Sequence, residues 1–575
     1  MDREKDLHPT TAVIMNDSSS TLDELLNEHG LELGSDSYLR WQFDSKQHPR
    51  NWDWKRKCFD IGFVMFVEMF QCAMSTTGTA VAQDAIHEYG ISKSLGYFTF
   101  TSAYLIGEGV GSIFLPPISE TFGRKATYAS GVLGDCIFSA LVAAVPPKAP
   151  GALAAVIIGR SMSGVVGAIT STVGPGSLED VYSPEHRIWG VFAWTTAGSL
   201  GLMLGPIYST HVVTYLGWRW VYYTTAIVMG ICFFFSFFLR ESRPSFLLQQ
   251  KHKIILGKTG NTSLLIHNPD AIDSAVGFFT ETLWRPLRLL FTEPIVILCS
   301  ALNAIAFGMI FGLTEGLDIV YRSFGFDAKT ASLAFLPLAI GLFFCIPARV
   351  LDVRRFRRLE REGVPITPEA KIKSFAIAVP ALAAGLWVFA WTIPPLVPHV
   401  SWAISMLALI PVGFATNDLD AVLAGYIADS YEMYAASAFS SLSMLRSILA
   451  AVFPLFTGRM FEALGNNAAC SVFAAITTLF CVSPIILLKW GKHLREHSKF
   501  AKYSAEMSEM SLGSERLSSE KGVVVLGNVA VVKPSSSGAG SESSRSEAIL
   551  LPVDEVQLVT ANSKSQEEIL IARVV

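Results

Sequence analysis

The chain has 575 residues, of which 51% are hydrophobic and only 16% charged, and its mean hydropathy is +0.41. Soluble domains carry about 25% charged residues, so an ordinary soluble enzyme is excluded, and a net charge of −4 gives no electrostatic basis for holding nucleic acid. The eight cysteines are scattered, mostly inside apolar runs and with no CxxC pair, which excludes a disulfide scaffold or a zinc ribbon.

Residues 1–57 are polar, rich in Asp, Glu and Ser, and end in Lys55-Arg56-Lys57. They contain no apolar run with a small-residue cleavage site, so they read as a disordered tail without a signal peptide. Apolar runs of about 20 residues follow, the length that crosses about 30 Å of hydrocarbon. The first six are predicted near Phe59–Ala82, Tyr97–Ile118, Thr127–Val145, Ala152–Gly176, Ile188–Val213 and Trp220–Leu239. The second six are predicted near Pro294–Thr314, Ser332–Val350, Phe375–Ile393, Ser401–Leu423, Ala435–Phe456 and Ala468–Leu488. A polar linker, residues 241–290, separates a first bundle (58–240) from a second (291–490). Residues 491–575, rich in Ser, Glu, Gly and Lys, read as a second disordered tail. The expected fold is an all-α integral membrane protein of twelve transmembrane helices in two pseudo-symmetric six-helix halves.

Loops after even-numbered spans are basic (Arg124 and Lys125; Arg240, Arg243, Lys251 and Lys253; Arg354, Arg355, Arg357, Arg358 and Arg361), whereas loops after odd-numbered spans hold few cations. The positive-inside rule therefore puts the even loops and both termini in the cytoplasm. A repeat supports the division into halves: span 4 ends Gly176-x-x-x-Asp180-x-Tyr182, and span 10 ends Gly425-x-x-x-Asp429-x-Tyr431. An acid followed by bases also recurs, as Glu120, Arg124 and Lys125 after span 2 and as Asp352, Arg354 and Arg355 after span 8. Two matching halves are what alternating access about a midplane site requires.

Three acids fall inside the first half: Glu68, Glu108 and Asp135. An ionised carboxylate near mid-span costs about 2.5–3.5 kcal/mol on insertion scales, and Arg160 is the one comparably deep base in that half. It cannot neutralise all three, so at least one acid is expected to carry a proton part of the time; helix packing alone is the competing explanation. In the second half, Asp418 and Asp420 stand two residues apart and point about 200° apart around span 10. They cannot both face Arg446 of span 11. Glu315 and Asp318 stand at the far mouth of span 7, where a solvated end is as good a reading as a functional one.

The string SETFGRK (119–125) has a turn at Gly123, from which Glu120, Arg124 and Lys125 can reach inner-end acids such as Asp180. Such pairs would close the inner side, with Asp352 and Asp429 as counterparts in the second half; a solvated basic loop is the alternative. In span 5, Gly201, Gly205 and Pro206 combine close helix approach with a bend. His493-x-x-Glu496-His497 fits a zinc-peptidase string, but lies beyond span 12 with no further ligand beside it, so no metal site is expected.

In the order in which they occur, these strings resemble a known family. HPRNW (48–52), SETFGRK, Arg160 with Ser163-Gly164, Asp180 with SPEHR (183–187), Gly201-x-x-x-Gly205-Pro206, GWRWVYY (217–223), RESRPSFLL (240–248), LWRPLRLLFTEPIV (283–296) and DSYEMYAASA (429–438) with Arg446 are similar to motifs of the major facilitator superfamily. The similarity is to its fungal twelve-span drug:proton antiporters and runs from His48 to about Trp490. The chain departs from the pattern at Pro116, Thr121, Ser209 and Thr210, the last two replacing the glycine pair that trails the span-5 antiporter motif.

The resemblance implies proton-driven efflux of drugs, toxins or an endogenous secondary metabolite from a fungal cell, through a multi-pass protein of the plasma membrane acting as a monomer. Its partners would be the lipid bilayer, a small-molecule substrate and protons. It would have no cofactor, since the proton gradient supplies energy: one charge crossing 100 mV yields about 2.3 kcal/mol, roughly a 50-fold gradient. Import of a nutrient or polyamine by symport or facilitation, and a non-transporting sensor on the same fold, remain open alternatives. No nucleophile–base or metal constellation points to an enzyme.

Overall fold

The computed structural model describes residues 22–33, 38–42, 44–259, 264–266, 284–363, 367–396, 401–431, 435–498, 500 and 502, with short pieces between 523 and 574. Much of the linker and most of the C-terminal tail, with the disorder expected there, lie outside the described residues. The described residues form two compact units, one comprising 43–251 and 268–501, the other 1–42, 252–267 and 502–575.

The larger unit is a helical bundle. Eleven of its helices are long and apolar enough to cross a membrane: Trp54–Thr76 (span 1), Lys93–Phe122 (2), Arg124–Ala144 (3), Ala152–Val181 (4), His186–Leu216 (5), Pro294–Ser323 (7), Ala328–Leu359 (8), Pro368–Trp391 (9), Trp402–Tyr431 (10), Ala435–Leu464 (11) and Asn466–His497 (12). Span 6 is the 18-residue helix Arg219–Ser236, whose first turns carry Arg219, Trp220, Tyr222 and Tyr223 and dilute its hydropathy. The expected twelve are therefore all present as helices. Their ends differ from expectation, because a helix hydrogen-bonds its own backbone past the apolar stretch that hydropathy detects. Spans 7, 10, 11 and 12 each run well beyond the expected C-terminal bound. Span 1 is shorter; it stops at Thr76 and a separate helix, Gly78–Tyr89, follows it.

Helix neighbours repeat between the halves. Span 1 packs on 5, span 2 on 4 and span 3 on 6; correspondingly, 7 packs on 11, 8 on 10 and 9 on 12. The halves meet where span 2 lies on 11 and span 5 on 8. The close fit of spans 1 and 5 is made by glycine: a Cβ on Gly201 would fall 2.0 Å from the Met69 carbonyl oxygen, and one on Gly205 would fall 2.2 Å from that of Ala73. Pro206 has no N–H, which leaves the Leu202 carbonyl without its helical donor. The Thr76 hydroxyl of span 1 lies 3.3 Å from it and is shared with the Ala73 carbonyl of its own helix at 3.0 Å, and the helix continues unbroken past Pro206 to Leu216.

Span 2 contains a π-helical turn, Phe98–Ser102. In the smaller unit, a helix over 22–28 leads into the antiparallel strands Leu31–Leu33 and Tyr38–Trp41, and Leu265–Ile266 adds in parallel to the second. The polar N-terminal segment thus contains ordered secondary structure where disorder was expected.

Candidate functional site: a central cavity between the halves

Spans 1, 2, 4, 5, 7, 10 and 11 surround a cavity of about 30 Å3, room for about two waters. Its walls bring together Glu68 of span 1, Glu108 of span 2, Asp420 of span 10 and Arg446 of span 11, with Phe307, Trp194 and Tyr104 supplying aromatic faces. A second, wider depression of about 360 Å3 lies near the opposite end of the bundle from the basic loops, against Gln83, Thr210, Asp318 and Arg322.

Arg446 is buried and reaches across the boundary between the halves. Its Nη1 lies 3.5 Å from Asp420 Oδ1, its Nη2 lies 4.0 Å from Glu108 Oε1, and its guanidinium carbon sits 4.4 Å from the centre of the Phe307 ring. Asp420 is also held by the Asn303 amide at 2.8 Å. Glu108, expected to compete for Arg160, is instead the partner of an arginine in the other half. Glu68 is 5% exposed; one carboxylate oxygen receives the Cys72 thiol at 3.5 Å, and the Thr170 hydroxyl, which also donates to the Gln71 amide oxygen, lies beside the carboxylate.

Among the described residues Arg160 forms no salt bridge with Glu68, Glu108 or Asp135, although its charge acts on the buried Asp135. Its Nε and Nη2 donate to the Phe100 carbonyl at 3.1 and 2.8 Å, and its guanidinium lies over the rings of Tyr104 and Tyr222, 4.6 and 5.1 Å from their centres. Phe100 is in the π-helical turn of span 2. Asp135 is buried beside Ser139, whose hydroxyl donates at 3.3 Å, and is outside the cavity wall.

Asp418 and Asp420 do point apart. Asp420 meets Arg446, while Asp418 is bound by Arg349 at 2.5 Å, and Arg349 also reaches Asp352 at 3.2 Å and the Ser374 hydroxyl at 2.6 Å. Arg349 was missed because hydropathy places it inside span 8, away from the basic loop. Asp352 turns to it, one turn back on the same helix, rather than to Arg354 or Arg355; Arg355 donates to the Ala370 carbonyl.

At the basic end, Arg124 Nε pairs with Asp180 at 3.0 Å and Nη1 donates to Ser119. Arg243 joins from after span 6, 3.2 Å from Asp180 and 3.9 Å from Glu120. Lys125 does not reach Asp180; its ammonium donates to the Phe237 carbonyl. Gly123 has φ +90°, which suits glycine, and brings the helix-terminal N–H groups of Arg124 and Lys125 onto the Glu241 carboxylate at 2.8 and 3.1 Å. An anion at a helix N-terminus is favourable, and Glu241 was visible only as part of RESRPSFLL. These groups belong to the first half and to the start of the linker that follows it. Asp429, the repeat counterpart of Asp180, pairs with Lys371 at the start of span 9, as Asp180 pairs with Arg124 at the start of span 3. Lys371 was missed because it shares no string with SETFGRK.

Glu315 is buried, not solvated; it accepts the Gly458 N–H at 3.1 Å. Asp318 pairs with Arg322 and accepts from Gln83 of the other half. His493 and His497 lie with ring centres 4.2 Å apart and planes tilted by 49°, and among the described residues no cluster of three or more metal-ligating side chains occurs.

Known proteins resemble the chain along most of its length. The Major Facilitator Superfamily family model matches residues 61–454. An efflux pump, radE, of Floropilus chiversii is 27% identical over 467 residues, covering 80% of this chain and 84% of that one. The multidrug transporter FLU1 of Candida albicans is 28% identical over 466 residues, covering 80% and 75%. Among solved structures, the proton:xylose symporter XylE, bound to 6-bromo-6-deoxy-D-glucose, aligns over 75% of this chain and 96% of its own with a TM-score of 0.52 at 17% identity, a likeness of fold.

Proposed function

Because the chain belongs to the major facilitator superfamily of membrane transporters, we propose that it exports small organic molecules in exchange for protons, with Glu68 as the proton carrier. The observation that carries this reading is the buried Glu68 carboxylate, in a cavity where three carboxylates face one arginine. A carboxylate so placed is stabilised by gaining a proton, which removes a charge that its surroundings do not balance. Glu108 is less suited, since Arg446 stands 4.0 Å from it, and Asp135 is outside the cavity wall. The relatives named as an efflux pump and a multidrug transporter support the outward direction. In this reading the protein is a monomer of the plasma membrane with both termini in the cytoplasm, as the basic even-numbered loops imply.

The test is transport by purified protein in sealed vesicles with an imposed pH gradient and a panel of azoles, polyamines and fungal metabolites. Substrate-driven proton movement opposite to substrate flux is expected, and Glu68→Gln should abolish it. Protons moving in the same direction as the substrate would overturn export, and coupling that survives Glu68→Gln would remove that residue as the carrier.

A further inference from the structure

We propose that the basic end of span 8 binds an inositol phospholipid bearing a phosphomonoester, along a stripe of arginines that continues the lipid-facing side of the helix. The stripe is outside the walls of the central cavity, and its ligand is independent of what the protein carries and in which direction.

Helical geometry defines the stripe. The helix Cys345–Arg361 closes span 8 and turns about 100° per residue. Cys345, Asp352 and Phe356 are buried on one side of it. Ile346 and Leu351, 44% and 65% exposed, stand on the other side, toward lipid. Arg354, Arg357, Arg358 and Arg361 fall between these two around the helix, within about 100° of arc, and all four are exposed. The arginines off this face are engaged within the protein: Arg349 with Asp418 and Asp352, and Arg355 with the Ala370 carbonyl. Arg358 has a carboxylate partner, Glu362 at 2.8 Å. Among the described residues Arg354, Arg357 and Arg361 have none. The positive-inside rule asks for positive charge at this end but not on one face, so it does not account for the stripe.

Depth selects the lipid. At 1.5 Å per residue, Arg354 stands about 4.5 Å beyond Leu351 and Arg361 about 15 Å beyond it. A headgroup layer is about 5–8 Å thick in each leaflet, and the usual tilt of about 20° hardly shortens these heights. Arg354 therefore meets the level of the phosphodiester that every phospholipid carries. Arg357, Arg358 and Arg361 step outward through the layer and past it. A headgroup reaches them when it projects from the surface and carries further phosphate, as a phosphorylated sugar ring does. Its monoester bears about −1.5 to −2 charges at neutral pH, and guanidinium groups pair with phosphate oxygens in bidentate fashion. In the orientation read from the basic loops, this end faces the cytoplasmic leaflet, where acidic lipids attract such clusters.

The experiment counts lipids retained by the purified full-length protein in native mass spectrometry, titrated in detergent with phosphatidylinositol 4-phosphate, phosphatidylserine or phosphatidylcholine. The first should bind about tenfold or more tighter than phosphatidylserine, and phosphatidylcholine should bind weakest. Arg354→Gln should weaken both acidic lipids by about fivefold. Arg357→Gln combined with Arg361→Gln should weaken phosphatidylinositol 4-phosphate by about tenfold or more and leave phosphatidylserine unchanged. Removing the same kind of charge at exposed lysines outside the spans, by Lys46→Gln, Lys253→Gln and Lys258→Gln together, should change neither. Every variant is compared at unchanged elution profile and unfolding temperature. Equal retention of the three lipids, an unaltered double variant, or an equal loss in the lysine variant would overturn the proposal. Soluble inositol 1,4-bisphosphate binding as tightly as the lipid would overturn the membrane as the ligand's source.

Discussion

Among the buried charges, Asp418 and Arg446 illustrate two different uses of an ion pair. Asp418 is 1% exposed and gripped by Arg349, which is itself held by Ser374 and Asp352; nothing in that group faces the cavity. Removing one partner of such a pair leaves an unbalanced buried charge and costs about 3–5 kcal/mol, whereas replacing both with apolar side chains is often neutral. Asp418→Asn should therefore lower the thermal unfolding midpoint of the detergent-solubilised protein, and Asp418→Leu combined with Arg349→Met should recover most of the loss. A double variant no more stable than the single one would show that the pair serves more than packing. Outside the membrane spans, burial and the nearby Arg50 charge hold His48 down at about 4 from an ordinary 6.5. The unfolded chain then takes up a proton first as pH falls, so stability is lost from about pH 6.5 downward through 4. His48→Gln should flatten that acid limb in a thermal-shift series, and an unchanged limb would exclude His48 as its source. The separation of Asp418 from Asp420 was legible in the sequence, because helical geometry alone sets it. The partner of Glu108 was not, since a single sequence does not say which helix face meets the other half.

At the scale of helices, hydropathy located all the spans and missed only their ends. The packing of span 5 on span 1 was legible in Gly201 and Gly205, but the carbonyl that Pro206 frees, and the Thr76 hydroxyl that approaches it, required knowledge of the neighbouring helix. A Cβ at 205 would meet the Ala73 carbonyl oxygen at 2.2 Å, whereas one at Gly62 meets nothing within 4 Å. Gly205→Ala should cost at least about 1–3 kcal/mol as overpacking and abolish transport, while Gly62→Ala should leave unfolding temperature and transport unchanged. A tolerated Gly205→Ala would refute the backbone contact. The two capping pairs, Arg124–Asp180 and Lys371–Asp429, occupy equivalent places but different environments: the first side chains are 4% exposed and the second about 30%. Charge reversal at Arg124 should thus impair transport far more than reversal at Lys371. Pairing Arg124→Asp with Asp180→Arg should restore only part of the activity, because Arg243 also rests on Asp180. No restoration, or equal damage at both sites, would remove the first pair from the mechanism.

For the molecule as a whole, polar contacts distribute unevenly between its two ends. At the basic end, the ion pairs among the described residues stay within one half, and the halves touch there through rings such as Trp194 and Phe439. At the opposite end within-half pairs such as Arg219–Glu88 and Arg322–Asp318 are joined by contacts that cross between halves: Lys93 to Glu462, Arg459 to Ser94, Gln83 to Asp318 and Lys329 to Tyr215. Alternating access requires these crossing contacts to break and the within-half ones to persist. A reducible bifunctional thiosulfonate joining Ser94→Cys to Arg459→Cys should stop turnover until reductant is added, whereas the same reagent joining Lys371→Cys to Asp429→Cys should not. Inhibition by both cross-links, or by neither, would mean that the halves do not separate at that end.

The contact between spans 2 and 11 has one further consequence. Arg446 of the second half stands 4.0 Å from Glu108 of the first, so the charge beside that carboxylate is set by the other half of the molecule. Motion of one half against the other would change the electrostatics of Glu108 without any ligand touching it.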